Sequence, residues 1–358
     1  MRSDSDRLLQ VLREPRRLSG LDLAYWEILV RLARQANLLG RLVVLVEADM
    51  GLDAVPEAPR RHLVSAHYLM EKQERSIRWE VDCIRAALEP TGIPVVFLKG
   101  AAYLLAELPP ARGRIFSDVD ILVPRAEIER VEQALMIAGW HGGHHSAYDE
   151  RYYRQWMHEI PPLRHIHRQS LIDVHHNILP LTARFHPDAA ALLQDRVALP
   201  GGWGAVLAPV DMVLHSATHL FHEGEYQQGL RDLVDLSLLI GQYGERAGFW
   251  RELLERARQL QLTRPLFYAL RHTHRMLGLA VPEEVEIEIR REGPGRLRGY
   301  YMDWLFKRAF LARHALRPEP VESLARLLLY VRGHYLRMPP SLLLPHLVRK
   351  AFAREEKS

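Results

Sequence analysis

Gly113-Arg114-Ile115-Phe116-Ser117-Asp118-Val119-Asp120-Ile121-Leu122-Val123 decides how this chain is read, with Phe97-Leu98-Lys99-Gly100 a short distance upstream. Val119, Ile121 and Val123 alternate with Asp118 and Asp120. A period of two marks a strand, in which residues i and i+2 share a face. Both carboxylates then leave one face while the β-branched residues enter a core. Adjacent carboxylates repel unless a cation lies between them. Mg2+ or Mn2+ takes oxygen ligands and suits that place. The stretch therefore points to metal-assisted phosphoryl or nucleotidyl transfer.

Two further segments complete such a site. Lys99-Gly100 suits a phosphate-binding turn, because glycine lets the backbone approach closely and a helix starting there presents free N–H groups. Downstream, Leu171-Ile172-Asp173-Val174-His175 repeats the alternation, with Ile172 and Val174 toward the core and Asp173 and His175 toward the site. Three carboxylates can hold two metal ions about an in-line displacement. Asp173 also suits a general base acting on an acceptor hydroxyl, and His175 suits orienting Asp173 or touching a phosphate. Arg114 suits either a phosphate oxygen or an ion pair with Asp118. Ser117 suits orienting the loop.

Outward from these strands the pattern is helical. Trp26, Leu29, Leu32, Ala33, Ala36 and Leu39 recur at helical spacing, and a long helix is expected over about 60–88. Pro90-Thr91-Gly92 then changes the character. A strand is expected over 93–98, a helix over 100–108, a strand over 119–123 and a helix over 125–138. A strand follows from Trp140, and a hairpin from 158–167 and 170–177. Helices resume after about Pro187, notably over 210–223 and 229–243. The fold class is α+β: a small mixed sheet core over 91–186, between helical regions at 1–90 and 187–358.

The chain has 358 residues, 48% hydrophobic and 26% charged, with a formal net charge of +4, as expected of a folded globular protein. Cys83 is the only cysteine, which rules out an intrachain disulfide and a multi-thiolate zinc site. It falls on an apolar helix face and reads as a buried, inert thiol. The polar start Met1-Arg2-Ser3-Asp4 lacks a signal-peptide pattern, and no apolar run approaches the roughly 20 residues that span a bilayer. A cytoplasmic setting without stable membrane insertion is expected. Residues 301–358 carry 11 Lys/Arg against 5 Asp/Glu. They read as solvated helix faces, with docking of an acidic partner protein as the alternative.

The 19 histidines invite a zinc reading. His215, His219 and His222 share a helix face by their spacing, but no metalloprotease Glu accompanies them, so polar packing is expected. Arg231, Asp232 and Asp235 are expected to form an inter-helix network. His141, His144 and His145 lie in a Gly-rich loop. His165 and His167 are expected to face the site beside Asp173.

On Phe97-Leu98-Lys99-Gly100, Arg114, Ser117-Asp118-Val119-Asp120, Ile172-Asp173-Val174-His175 and the helical stretch from His215 to Asp235, the chain resembles the uncharacterised nucleotidyltransferase family of the polymerase-β-like nucleotidyltransferase superfamily. The resemblance implies a divalent metal held by Asp118, Asp120 and Asp173. It also implies an NTP such as ATP as donor, with Lys99-Gly100 near its triphosphate. In place of the superfamily's Gly-Ser or Gly-Gly turn, this chain has Lys99-Gly100-Ala101 and a longer connection through Pro109-Pro110. The expected activity is NMP transfer to an acceptor: a small molecule, a protein or an RNA end. The alternatives are γ-phosphoryl transfer in the same site and non-catalytic binding of a nucleotide or partner.

Overall fold

A computed structural model of the chain describes residues 5–143, 147–222, 224, 226–311, 320–339 and 341–343. His144, His145 and the basic stretch past residue 343 lie outside the described residues. The fold is α+β.

At its centre is a seven-stranded mixed sheet of order β3-β4-β5-β2-β1-β7-β6. The strands are β1 (Val96–Phe97), β2 (Val119–Leu122), β3 (Trp140–Gly142), β4 (Leu163–His165), β5 (Leu171–His175), β6 (Val197–Ala198) and β7 (Ala205–Val206). β2 runs parallel to β5 and antiparallel to β1. β6 and β7 extend the sheet past residue 186, where the sequence suggests the α/β core ends. Val119 and Ile121 are fully buried as the alternation requires. Burial of each such side chain is worth about 1.5–3 kcal/mol.

Helices α1 (Ser5–Arg13), α2 (Leu23–Gln35) and α3 (Leu39–Asp49) precede the 32-residue α4 (Glu57–Leu88), which packs on α2, α3 and β2. Asp22 caps α2 by accepting the Tyr25 N–H at 2.7 Å, and Trp26 is buried beneath. Cys83 on α4 is half-buried rather than fully buried, and partial burial raises its thiol pKa. It therefore stays a thiol at neutral pH. α5 (Lys99–Leu105) and α6 (Ile128–Ile137) follow β1 and β2, and α7 (Ala147–Trp156) precedes β4. α8 (Ala189–Gln194) leads to the C-terminal helices α9 (Pro209–His222), α10 (Gly229–Gly244), α11 (Phe249–Gln259), α12 (Thr263–His272), α13 (Glu283–Arg291), α14 (Arg296–Phe310) and α15 (Pro320–Arg337). α9 packs on α10, α11, α12 and α15. His272 is buried there among Phe221, Tyr268, Phe306 and Phe310. Among the described residues no helix is long and apolar enough to cross a membrane.

Candidate active site

The parallel pairing of β2 with β5 sets Asp120 directly opposite Asp173, and Leu122 opposite His175. Paired residues on neighbouring strands share a face, so Asp120, Asp173 and His175 stand together. Residues 53 and 55 positions apart thus meet because two short apolar strands align in one register. Asp118 immediately precedes β2 and is half-buried, and the Ser117 hydroxyl donates to its Oδ1 at 2.8 Å.

Asp120 is buried, and two groups donate to its Oδ1: Lys99 Nζ at 2.9 Å and His175 Nε2 at 3.0 Å. Burial raises the Asp120 pKa, but the Lys99 charge and the His175 bond outweigh it and hold the carboxyl well below its ordinary range. The other ring nitrogen of His175 lies 3.2 Å from Glu159 Oε2. Burial disfavours a charged His175, yet the Asp120 bond and the Glu159 charge together raise its pKa. With a carboxylate at each ring nitrogen, the imidazolium form satisfies both. Asp173 has no such donor at Oδ1, which is buried without a hydrogen-bond partner. Burial first, then the charges of Asp120 and Glu159, push its carboxyl up to about 7.

Lys99 has φ +46°, a left-handed conformation that strains a residue with a Cβ. It begins α5, which spans only seven residues. At Gly100 a Cβ would come within 3.0 Å of Arg114 Nε and 3.1 Å of the Phe116 ring, so glycine is what lets this backbone approach so closely. Gly113 has φ +83°, and a Cβ there would meet the Arg41 backbone at 2.7 Å. The loop leading to Asp118 is therefore pressed onto α3. It is fixed further by the Phe116 N–H, which donates to Gln73 Oε1 on α4 at 2.7 Å.

Arg114 is ion-paired with Asp235 on α10, both side chains being buried. Its guanidinium lies 5.6 Å over the Tyr103 ring. The acidic partner offered by the structure is thus Asp235, not Asp118. Arg231 pairs with Asp232 at 2.6 Å. Lys99, Gly100, Arg114, Ser117, Asp118 and Asp120 line a cleft of about 290 Å³, together with His219, Gln228, Arg231 and Asp232 among others. A second cavity of about 620 Å³ lies between α4 and the sheet, and Phe116, Ser117 and Asp118 border both spaces.

His215 is buried near Lys99. Burial, then the charges of Lys99 and His219, keep its pKa well below the usual value, so it is neutral. His165 does not face the site. Leu163 pairs with Ile172, which places Leu163 and His165 on the face opposite Asp173. His165 packs on Trp140 at 5.0 Å and contacts Arg168. His167 lies in the turn after β4.

Sequence reasoning missed Glu159 and His158. Each of His158, Glu159 and His175 places a potential ligand atom within 4.8 Å of the others. Glu159 meets His175 through an isolated antiparallel bridge, and no residue pattern in the sequence marks such a bridge.

A mixed sheet with carboxylates grouped on adjacent strands thus stands beside a cleft that holds three cationic and three acidic side chains and is reached by a glycine-bearing turn. Residues 22–278 match the family described as uncharacterised nucleotidyltransferase, and the chain belongs to that family. Nucleotidyl transfer is the generic activity that accompanies it. No curated protein matches the chain.

Proposed function

We propose that the chain is a divalent-metal-dependent, polymerase-β-like nucleotidyltransferase that moves NMP from an NTP to an acceptor. The observation that carries this reading is the Asp120–Asp173 register beside Asp118. The donor set fits a hard divalent cation. Asp173 Oδ1 is a buried carboxylate oxygen with no hydrogen-bond partner, and its pKa is raised to about 7 by burial and by neighbouring carboxylates. Such an oxygen gains from a cation. Asp118, Asp120 and Asp173 would hold the ion. When bound, it would neutralise phosphate charge and stabilise the attacking and leaving oxygens.

The chain's own residues do the rest. Lys99, Arg114 and Arg231 face the 290 Å³ cleft and would receive the triphosphate, with Gly100 giving it backbone access. Ser117 orients Asp118. His175, fixed by Glu159, holds the Asp120 carboxylate in place. Where Asp173 does not ligate the ion, it would serve instead as the base for an acceptor hydroxyl. The second cavity shares Asp118 with the donor cleft, and we read it as the acceptor's approach. His158, Glu159 and His175 also resemble a transition-metal donor set. Both His175 nitrogens already face carboxylates, which favours a positioning role.

The test is incubation with NTPs labelled at either the α- or the γ-phosphate, with Mg2+ or Mn2+ and a cell extract. Label from the α position alone should reach acceptor. Transfer of γ-label alone would reassign the site to phosphoryl transfer.

A further inference from the structure

A third cavity lies away from the carboxylates, among α9, α12, α14, α15 and the segment at Arg184 and Phe185. Its volume is about 470 Å³, within the usual range of about 300–1,000 Å³ for small-molecule sites. Phe185, Tyr268, Tyr301, Met302, Leu305 and Leu328 give it an apolar and aromatic wall. Four arginines also line it: Arg184, Arg264, Arg298 and Arg332. No carboxylate stands among the described residues of this wall.

The arginines divide by what they touch. Arg184 stacks 4.1 Å over the Tyr335 ring, and Arg332 donates to the Phe221 carbonyl at 2.8 Å while lying 5.5 Å over Tyr268. These two build the wall. Arg264 and Arg298 have no acidic partner among the described residues. Guanidinium groups pair with phosphate and carboxylate through two parallel hydrogen bonds. An apolar cavity bordered by guanidinium groups that have no acidic partner among the described residues is complementary to a molecule with an apolar body and an anionic head.

We propose that this cavity binds an amphiphilic organic anion, its head held by Arg264 and Arg298 and its body seated on Phe185, Tyr268 and Leu305. Most of the wall comes from α14 and α15, which lie beyond the family-matched residues 22–278. The pocket also adjoins the catalytic half. His222 lines it, and His219, three residues earlier on α9, lines the donor cleft. The proposal does not depend on the transferase reading.

The experiment is calorimetric titration of the full chain, without NTP or metal, using 2-naphthyl phosphate, 2-naphthol and inorganic phosphate. The aromatic phosphate should bind once per chain, at least about tenfold tighter than either fragment. Arg264→Gln with Arg298→Gln should weaken it by about tenfold or more. Arg298→Gln alone, at the exposed rim, should weaken it in the same direction, which covers the case in which the double variant folds poorly. Arg231→Gln, in the donor cleft, should bind as the parent does. Equal affinity for 2-naphthol, or unchanged binding in the folded arginine variants, would overturn the proposal. So would loss of binding in Arg231→Gln, which would move the ligand to the donor cleft.

Discussion

Asp120 and Asp173 stand opposite each other on adjacent parallel strands, yet their surroundings differ in kind. Asp120 Oδ1 receives both Lys99 and His175, whereas Asp173 Oδ1 has no hydrogen-bond partner. One carboxylate is held ionised, and its neighbour is held near neutrality. This asymmetry is what a second cation would relieve.

It gives a pH prediction. Asp173 has a folded pKa of about 7, above its unfolded value of about 3.9. The folded state therefore keeps a proton that the unfolded state loses. Metal-free stability should decline as pH rises from about 4 through 7, by an amount on the order of 4 kcal/mol if no cation binds. Melting of chelator-treated protein at pH 5 and pH 8 measures it. Mn2+ should raise the melting temperature more at pH 8, and Asp173→Asn should flatten both responses. A parent-like profile in that variant would remove Asp173 from the site.

Removing Asp120 affects folding as well as chemistry. Asp120→Ala leaves the Lys99 ammonium and the His175 imidazolium facing an apolar methyl. Breaking such a buried pair costs about 3 kcal/mol or more. Asp120→Asn keeps an acceptor oxygen and should retain more stability, while NTP turnover falls by about 10³-fold or more in both. Denaturant melts beside turnover assays separate the two effects.

Arg114 and Asp235 call for a double-mutant cycle. Asp235→Asn leaves a buried guanidinium without its counter-charge, an expected loss of about 3 kcal/mol. Arg114→Met with Asp235→Leu should recover much of that stability. Nucleotide binding should stay weak in the double variant, because Arg114 also lines the cleft. Restored binding would make Arg114 purely structural.

His272 gives a second pH dependence, of opposite sign. Burial depresses its pKa to about 3, so the folded state refuses a proton that the unfolded state accepts below about 6.5. Stability should fall as pH drops from 6.5, with His272 contributing about 2 kcal/mol of the loss at pH 5. His272→Phe suits its aromatic surroundings and removes a buried nitrogen that has no hydrogen-bond partner, the Asp303 carboxylate lying 3.8 Å away. The variant should be at least as stable as the parent at pH 7 and less sensitive to acid. Urea melts at pH 7 and pH 5 decide it.

The legible parts of the molecule were those written in local periodicity. Val119–Leu122 and Leu171–His175 alternate clearly, so the faces of Asp120 and Asp173 followed from the residues alone. β6 and β7 have two residues each, too few to show a period, and the sheet's far edge went unseen. The partner of Arg114 lies 121 positions away on α10, and no spacing rule reaches that far. His165 was given the wrong face because strand pairing, not its spacing to Asp173, sets the side on which it emerges. Glu159 escaped because an isolated bridge has no pattern around it.

A divalent cation shared by carboxylates from two strands is what the proposed chemistry requires. Mn2+ titration followed by electron paramagnetic resonance, with and without NTP, tests it directly on the parent chain and on Asp118→Asn, Asp120→Asn and Asp173→Asn. The parent should bind Mn2+ more tightly when NTP is present, and each variant should weaken that binding by about tenfold or more. Parent-like Mn2+ binding in all three folded variants would contradict it.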